Sequence, residues 1–493
     1  MSAEESLAHE TAVVAAAPKD LFIGGAWRPA TGGATFGVED PSTGQELCAV
    51  ADATPADGLA ALDAAVAAQA GWVATAPRER SEILRRAFTL LMDRQEDLAL
   101  LMTLEMGKPL AESRGEIAYA AEFFRWFAEE AVRIDGGYAV SPDGKSRFLV
   151  MRQPVGPCLL ITPWNFPMAM GTRKLGPAIA AGCTMVIKPA DATPLSLLAL
   201  ADILREAGLP PGVLNVVPTS AAGAVMEPLI RDPRARKLSF TGSTGVGRRL
   251  LEQVASTVLR TSMELGGNAP FLVFADADLE AAVDGAMLAK MRNIGEACTA
   301  ANRFYVEESV AGEFADRLAA RMAVLRVGRG SADGVQVGPL INAAAQEKVA
   351  GLVTDAVDRG ARAVVGGAAI DGPGHFFAPT VLADVPADAR MAREEIFGPV
   401  AAITPFRNED EAVAAANDTE FGLVSYLFTT DVNRALRVSE RLESGMVGLN
   451  TGIVSNPAAP FGGVKQSGLG REGGRVGLEE YLEVKYVGIP ANW

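Results

Sequence analysis

The sequence predicts an α/β protein of two sheet-and-helix units, the first doubly wound and Rossmann-like. Three observations carry this reading. Short apolar runs alternate with longer helical patterns through the middle of the 493-residue chain. Those runs are continuous rather than alternating, as strands covered on both faces of a parallel sheet require. A second alternating block occupies residues from about 270 to 450, and the length allows roughly two to four domains.

Taken in order, the chain opens on Glu4, Glu5, His9 and Glu10 around a short Val/Ala run. This start reads as disordered and lacks the basic end and long apolar core of a secretion signal. Residues 55–132 read as mostly helical, with amphipathic spacing from Arg78 to Leu110 and from Glu112 to Ile134. Residues 135–152 break that pattern with Gly136-Gly137-Tyr138 and Pro142-Asp143-Gly144-Lys145, which suggests a hairpin. Strands are expected at 157–162, 184–188, 213–217 and 237–240, with helices through Lys174 and Ala181 and from Leu195 to Ala207. A helix is expected from Arg248 to Ser256. In the second block the clearest strands are 271–274, 303–306 and 400–403, and 480–487 reads as a terminal strand.

Composition narrows the chemistry. Lys and Arg number 45 and Asp and Glu 60, a net charge of −15. Bulk electrostatics therefore disfavour nucleic acid and anionic membranes as partners. No apolar stretch approaches a membrane span, so a soluble cytoplasmic protein is expected. The only histidines are His9 and His375, the latter in a Gly/Pro-rich turn. A Ser-His-Asp triad and a His-ligated metal are disfavoured, and any general base should be something other than His. Cys48, Cys158, Cys183 and Cys298 are spaced too widely for CxxC motifs and fit free thiols in a reducing compartment.

Several residues could carry chemistry. Cys298 lies among small residues in Gly295-Glu296-Ala297-Cys298-Thr299-Ala300, where a thiolate could reach a carbonyl carbon; the alternative is a small buried hydrophobe. Glu264 ends an apparent strand before Gly266-Gly267, where a partly buried carboxylate could serve as a base or sit on the surface as a loop charge. Thr241-Gly242-Ser243-Thr244-Gly245 joins a strand to a helix start, an arrangement for phosphate in which Ser243 could equally be a plain N-cap. Trp164 and Asn165 follow the 157–162 strand, and the Asn amide could donate to an oxyanion. Lys188 and Asp191 end the next strand, where a nucleotide ribose would lie.

Together these segments resemble the aldehyde dehydrogenase superfamily over nearly the whole chain. The motifs are Pro163–Pro167 (PWNFP), Lys188-Pro189-Ala190, Phe240–Gly245 (FTGSTG), Glu264–Asn268 (ELGGN), Cys298 in GEACTAAN and Glu394–Pro399 (EEIFGP). Within that superfamily the chain looks most like the succinate-semialdehyde dehydrogenases, on Thr172-Arg173-Lys174, Met291-Arg292-Asn293, Asn450-Thr451-Gly452, the run from Pro460 to Gly473 and the closing 481–486. Glutarate-semialdehyde dehydrogenases share much of this.

The resemblance implies an aldehyde dehydrogenase-like fold: a cofactor-binding domain from 20–134 and 152–265, a catalytic domain from 266–455, and oligomerisation strands at 135–151 and 478–493 of a homodimer or homotetramer. It implies NAD or NADP as cofactor, no metal, and a small semialdehyde as substrate. It assigns catalysis to Cys298 as nucleophile, Glu264 as base, Asn165 as oxyanion donor, and also Lys174. It assigns cofactor binding to Trp164, Lys188, Asp191, Gly242, Ser243, Leu265, Glu395 and Phe397. Arg173, Arg292 and Ser455 would hold the substrate's distal carboxylate, a task that suits planar guanidiniums. Asp191 departs from the residues usual there and leaves NAD and NADP both open. Ala300 stands where some relatives carry a second Cys, so no intrachain disulfide switch at Cys298 is expected. A thiol esterase without redox turnover and a non-catalytic structural member are the alternatives of other classes.

Overall fold

The computed structural model describes residues 3–491. Its first sheet has eight strands in the order Gly468–Leu469, Arg260–Glu264, Lys237–Thr241, Cys158–Ile161, Met185–Lys188, Leu214–Val216, Leu21–Ile23 and Ala26–Arg28. The five central strands run parallel, and the outer ones pair antiparallel. Successive crossovers run outward one way from Cys158–Ile161 through Met185–Lys188 to Leu214–Val216. The chain then returns to the other side of Cys158–Ile161 at Lys237–Thr241. Between those two strands the winding reverses, and a doubly wound sheet opens a crevice at the carboxyl ends flanking such a point. The segments leaving these ends are Trp164-Asn165 and Gly242-Ser243.

Every residue of Met185–Lys188 and Lys237–Thr241 is buried, which is why these runs lack polar alternation. Helix Leu110–Ala131 covers one face and packs closely on helix Pro167–Ala181. Gly176 makes that approach possible, because a Cβ there would lie 2.9 Å from the Phe127 ring.

The second sheet has seven strands in the order Arg362–Val365, Thr380–Ala383, Val400–Phe406, Ala301–Glu307, Ala269–Val273, Val424–Phe428 and Met446–Leu449. All pairings are parallel except that of the Arg362–Val365 edge. Its core centres on Phe271, whose ring lies 4.9 Å from Phe428 and 5.0 Å from Phe304, centroid to centroid. A three-stranded antiparallel sheet joins Gly137–Val140, Ser146–Pro154 and Leu482–Pro490. It leaves Tyr138, Val484 and Tyr486 exposed.

Two expectations need correction. The start of the chain is a helix, Ala3–Ala16, not a disordered tail. Alanine favours helix, and the helix is tied down: Glu10 pairs with Arg329 at 2.8 Å and accepts from Ser331, while Lys19 Nζ caps the last turn through the Val14 and Ala17 carbonyls. The helix expected from Arg248 runs instead over Thr244–Val254. Its glycines read as turn, but Ser243 caps the Val246 N–H and starts the helix four residues earlier.

Among the described residues no single helix is long and apolar enough to cross a membrane; Pro55–Ala74 and Pro77–Asp93 pass that test only together, across a 115° bend.

Candidate active site

A cavity of about 410 Å³ opens at the crevice, between the two large sheets. At its centre is Cys298. The loop before it holds three consecutive left-handed residues, Asn293 (φ 53°), Ile294 (φ 62°) and Gly295 (φ 78°). Two of these are not glycine, a conformation that persists only where neighbours enforce it. The enforcing contacts are visible. Asn293 Nδ2 donates to the Asn165 carbonyl at 3.0 Å and to the Glu296 carbonyl at 2.8 Å, and the Asn293 N–H donates to Glu112. Gly267 packs so tightly on the Cys298 carbonyl that a Cβ would lie 2.5 Å from it. Asn165 Nδ2 spends one N–H on the Glu296 carbonyl at 2.9 Å, and its second N–H has no hydrogen-bond partner among the described residues. Burial pushes the Cys298 thiol up to about 12, against the pull of the Arg173 guanidinium. A thiol raised in this way needs a proton acceptor before its sulfur can act as a nucleophile.

Glu264 supplies carboxylate oxygens at the same cavity. It is buried, and neither oxygen has a hydrogen-bond partner. Gly462 keeps that side clear, since a Cβ there would sit 2.9 Å from Glu264 Oε1. Burial, and then the nearby Glu472 carboxylate, hold Glu264 well above the usual carboxylate range, opposed by Lys174, Arg173 and Arg471. A buried, unpartnered, easily protonated carboxylate is suited to general-base work on water.

The far wall is cationic. Arg173 is buried with its guanidinium carbon 4.1 Å from the centre of the Phe461 ring, and Nη2 donates to the Tyr119 hydroxyl at 2.7 Å. Arg292 lies 4.8 Å above the Phe166 ring and reaches Ser455 Oγ at 3.5 Å. The Tyr119 ring is 5.9 Å from one guanidinium and 6.0 Å from the other. Two permanent cations facing a cavity in so acidic a chain call for an anionic ligand.

The near wall suits a dinucleotide. The Trp164 and Phe397 rings meet edge-on at 5.4 Å. Gly242, Ser243 and Leu265 line the cavity at the start of helix Thr244–Val254, whose first N–H groups favour phosphate. The buried Thr241 Oγ1 beside them has no partner. Glu395 accepts the Gly267 N–H at 3.2 Å, and burial pushes its carboxyl up to about 7.

The cavity thus gathers all but three of the residues singled out in the sequence. Lys188 is buried at the end of its strand, its ammonium pulled down by burial and steadied by Asp191; Asp191 is exposed; neither lines the cavity. Lys174 also lies behind the wall, fully buried, donating to Glu472 at 2.6 Å and Ser239 at 2.9 Å. From behind the wall its ammonium acts on Glu264 as well as on Glu472, lowering the Glu264 carboxyl.

Sequence reasoning missed Tyr119, Phe461, Glu472 and Lys348 as site residues. Tyr119 is hidden in the regular pattern of a core helix, while Phe461 and Glu472 stood inside a quoted motif without a role. Among the described residues no cluster of His, Cys, Asp or Glu could hold a metal ion.

Comparison with known proteins agrees with this architecture. The aldehyde dehydrogenase family model matches residues 27–487. The chain is 62% identical over 443 residues to a succinate-semialdehyde dehydrogenase of Paenarthrobacter nicotinovorans, covering 90% of this chain and 98% of that one. It is 52% identical over 471 residues to a glutarate-semialdehyde dehydrogenase of Pseudomonas putida, covering 96% and 98%. A crystal structure of an NADP-dependent enzyme from E. coli superposes with a TM-score of 0.95 at 51% identity, covering 96% of this chain and 98% of that one. With a family match along almost its entire length and close relatives spanning nine-tenths of it, the chain belongs to the aldehyde dehydrogenase family.

Proposed function

We propose that the enzyme oxidises succinate semialdehyde to succinate, consuming one water and one NAD(P)+ and releasing NAD(P)H and protons. The observation that carries this reading is one cavity lined by a thiol, an unpartnered buried carboxylate, an Asn amide with a spare N–H and the guanidiniums of Arg173 and Arg292.

Cys298 gives up its thiol proton to water, and its sulfur forms a bond to the aldehyde carbon while the C=O π pair moves to oxygen, giving the alkoxide of a thiohemiacetal. The Asn165 Nδ2–H and the Cys298 N–H hold the oxyanion. The nicotinamide cofactor, when bound, supplies the hydride acceptor that turns this adduct into a thioester. Glu264 then takes a proton from water, which attacks the thioester carbonyl and frees Cys298 and the acid. Trp164, Gly242, Ser243, Leu265, Glu395 and Phe397 would hold the cofactor at the cavity, with Lys188 and Asp191 at the ribose end. Asp191 would repel a 2′-phosphate and Lys188 would attract it, which supports use of both NAD and NADP.

Arg173, Arg292 and Ser455 bind the substrate's distal carboxylate. Glutarate semialdehyde is the second candidate, because the same wall accepts any ω-carboxylate and a similar relative carries that name. The separation into two sheets supports a cofactor-binding part (20–134 and 152–265) and a catalytic part (266–455), with the short strand Gly468–Leu469 returning to the first sheet. The exposed apolar residues of the three-stranded sheet support a homodimer or homotetramer built through it. Four unpaired cysteines fit a cytoplasmic location.

The deciding experiment is a kcat/KM panel of C3–C5 semialdehydes and an uncharged aldehyde, each with NAD+ and with NADP+. The highest value is expected for succinate semialdehyde, and NADH or NADPH should appear at 340 nm. Equal values for charged and uncharged aldehydes would sink the carboxylate assignment, and turnover without cofactor would favour a thiol esterase.

A further inference from the structure

We infer that the buried pair Lys108–Glu116 is a positioning unit that aims the Asn165 amide at the reaction centre, an inference that rests on reading Asn165 as the oxyanion donor. Lys108 is fully buried in the short link between helices Gln95–Met106 and Leu110–Ala131. Its ammonium has three recipients. It donates to Glu116 Oε2 at 2.5 Å and to the Asn165 carbonyl at 2.8 Å, and it lies 4.2 Å from the centre of the Phe166 ring. Arg292 sits against the same ring at 4.8 Å.

Glu116 completes the unit. Its Oε1 accepts the N–H groups of Met168 and Ala169, at 3.0 and 3.1 Å, in the first turn of helix Pro167–Ala181. One carboxylate therefore caps that helix while its ammonium partner grips the loop just before it. The Asn165 carbonyl receives a second donor from Asn293 Nδ2, on the loop that leads to Cys298. With both donors in place, the Asn165 backbone has one orientation and its amide is held on the Glu296 carbonyl.

The placement of Lys108 is itself fixed. Gly107 before it is left-handed (φ 92°), and a Cβ there would lie 2.8 Å from the Pro339 ring. An ammonium with no exposure has desolvation to overcome, and the Glu116 contact, the carbonyl and the ring together offset it.

The test is a double-mutant cycle on kcat. Lys108→Met/Glu116→Gln keeps the site neutral and removes the grip on Asn165. It is expected to lower kcat about 10- to 100-fold, less than the roughly 10²- to 10³-fold of losing an oxyanion donor outright, with KM within about twofold. Asn165→Ala should show the full loss, and adding the double variant to Asn165→Ala should cost no further kcat, since the pair acts only through that amide. A purely structural pair would lower the melting temperature and leave kcat per folded enzyme unchanged, or multiply with Asn165→Ala; either result overturns the inference. Should the double variant fail to fold, Glu116→Gln alone is read in the same cycle, with an expected kcat loss of about three- to tenfold and the same requirement of no further loss beside Asn165→Ala. If Asn165→Ala itself keeps full kcat, the oxyanion reading fails and this inference falls with it, a result distinguishable from an active pair that is merely additive.

Discussion

Two buried lysine–glutamate pairs flank the reaction centre, and they are built to opposite specifications. In Lys108–Glu116 both carboxylate oxygens are filled: one by the ammonium, the other by the Met168 and Ala169 N–H groups. In Lys174–Glu472 one oxygen takes the ammonium at 2.6 Å, but Glu472 Oε2 has no hydrogen-bond partner and lies 3.7 Å from Arg173. Beside it, both Glu264 oxygens are also unpartnered. A fully satisfied buried network is rigid and specifies geometry; a partly satisfied one holds acceptor capacity at a cost. On the proposed mechanism the first pair holds the Asn165 loop in place, and the second lies beside the carboxylate that activates water.

The largest expected effect tests the open side at its centre. Glu264→Gln keeps the shape and removes the base. Steady-state kcat should fall about 10²- to 10⁴-fold, while the first turnover still releases about one equivalent of NAD(P)H, because attack by Cys298 precedes the step that needs Glu264. Loss of that burst would move Glu264 to an earlier step. On the proposed mechanism Glu264 acts deprotonated, and burial raises its carboxyl. Activity should therefore decline as pH falls through a value above the ordinary carboxylate range. An acid limb at an ordinary carboxylate pKa would contradict the unpartnered, buried geometry.

Arg292→Ala is the next in size and asks whether the cationic wall serves binding or scaffold. A hydrogen bond to a charged group contributes about 1.5–3 kcal/mol, so kcat/KM for succinate semialdehyde should drop about 10- to 150-fold. An uncharged aldehyde of similar length should lose less than about threefold. Parallel losses on both substrates would assign Arg292 to the Phe166–Lys108 scaffold instead.

The contrast between the pairs also marks what could be read in the sequence. Cys298, Glu264, Asn165 and the Gly242-Ser243 turn were legible because each sits at the end of a buried strand or in a short run of small residues, where local pattern and chemistry coincide. The parallel sheets were legible from unbroken apolar runs such as 185–188. Lys108, Tyr119 and Glu472 were not. Each is a polar residue in or beside a helix that looks ordinarily amphipathic, and each acts on the site through contacts 50 or more positions away, as with Lys108 and Asn165 or Lys174 and Glu472. The N-terminal helix failed for the same reason: its anchor is Arg329, 319 positions from Glu10.

The smallest effect probes the open pair directly. Glu472→Gln removes a negative charge beside Glu264 while keeping an acceptor for Lys174. Because Glu472 raises the Glu264 carboxyl and Lys174 and Arg173 lower it, loss of the Glu472 charge leaves the two cations less opposed. The acid limb of kcat should then shift to lower pH, and kcat on the plateau should fall by no more than the three- to tenfold that one hydrogen bond of about 0.5–1.5 kcal/mol represents. The matching neutral replacement on the filled side, Lys108→Met/Glu116→Gln, should lower kcat at every pH and leave the limb where it was. A limb that moves equally in both variants would mean that the filled and unfilled pairs act on Glu264 alike, and that unpartnered oxygens do not distinguish the chemical side of this site from its scaffold.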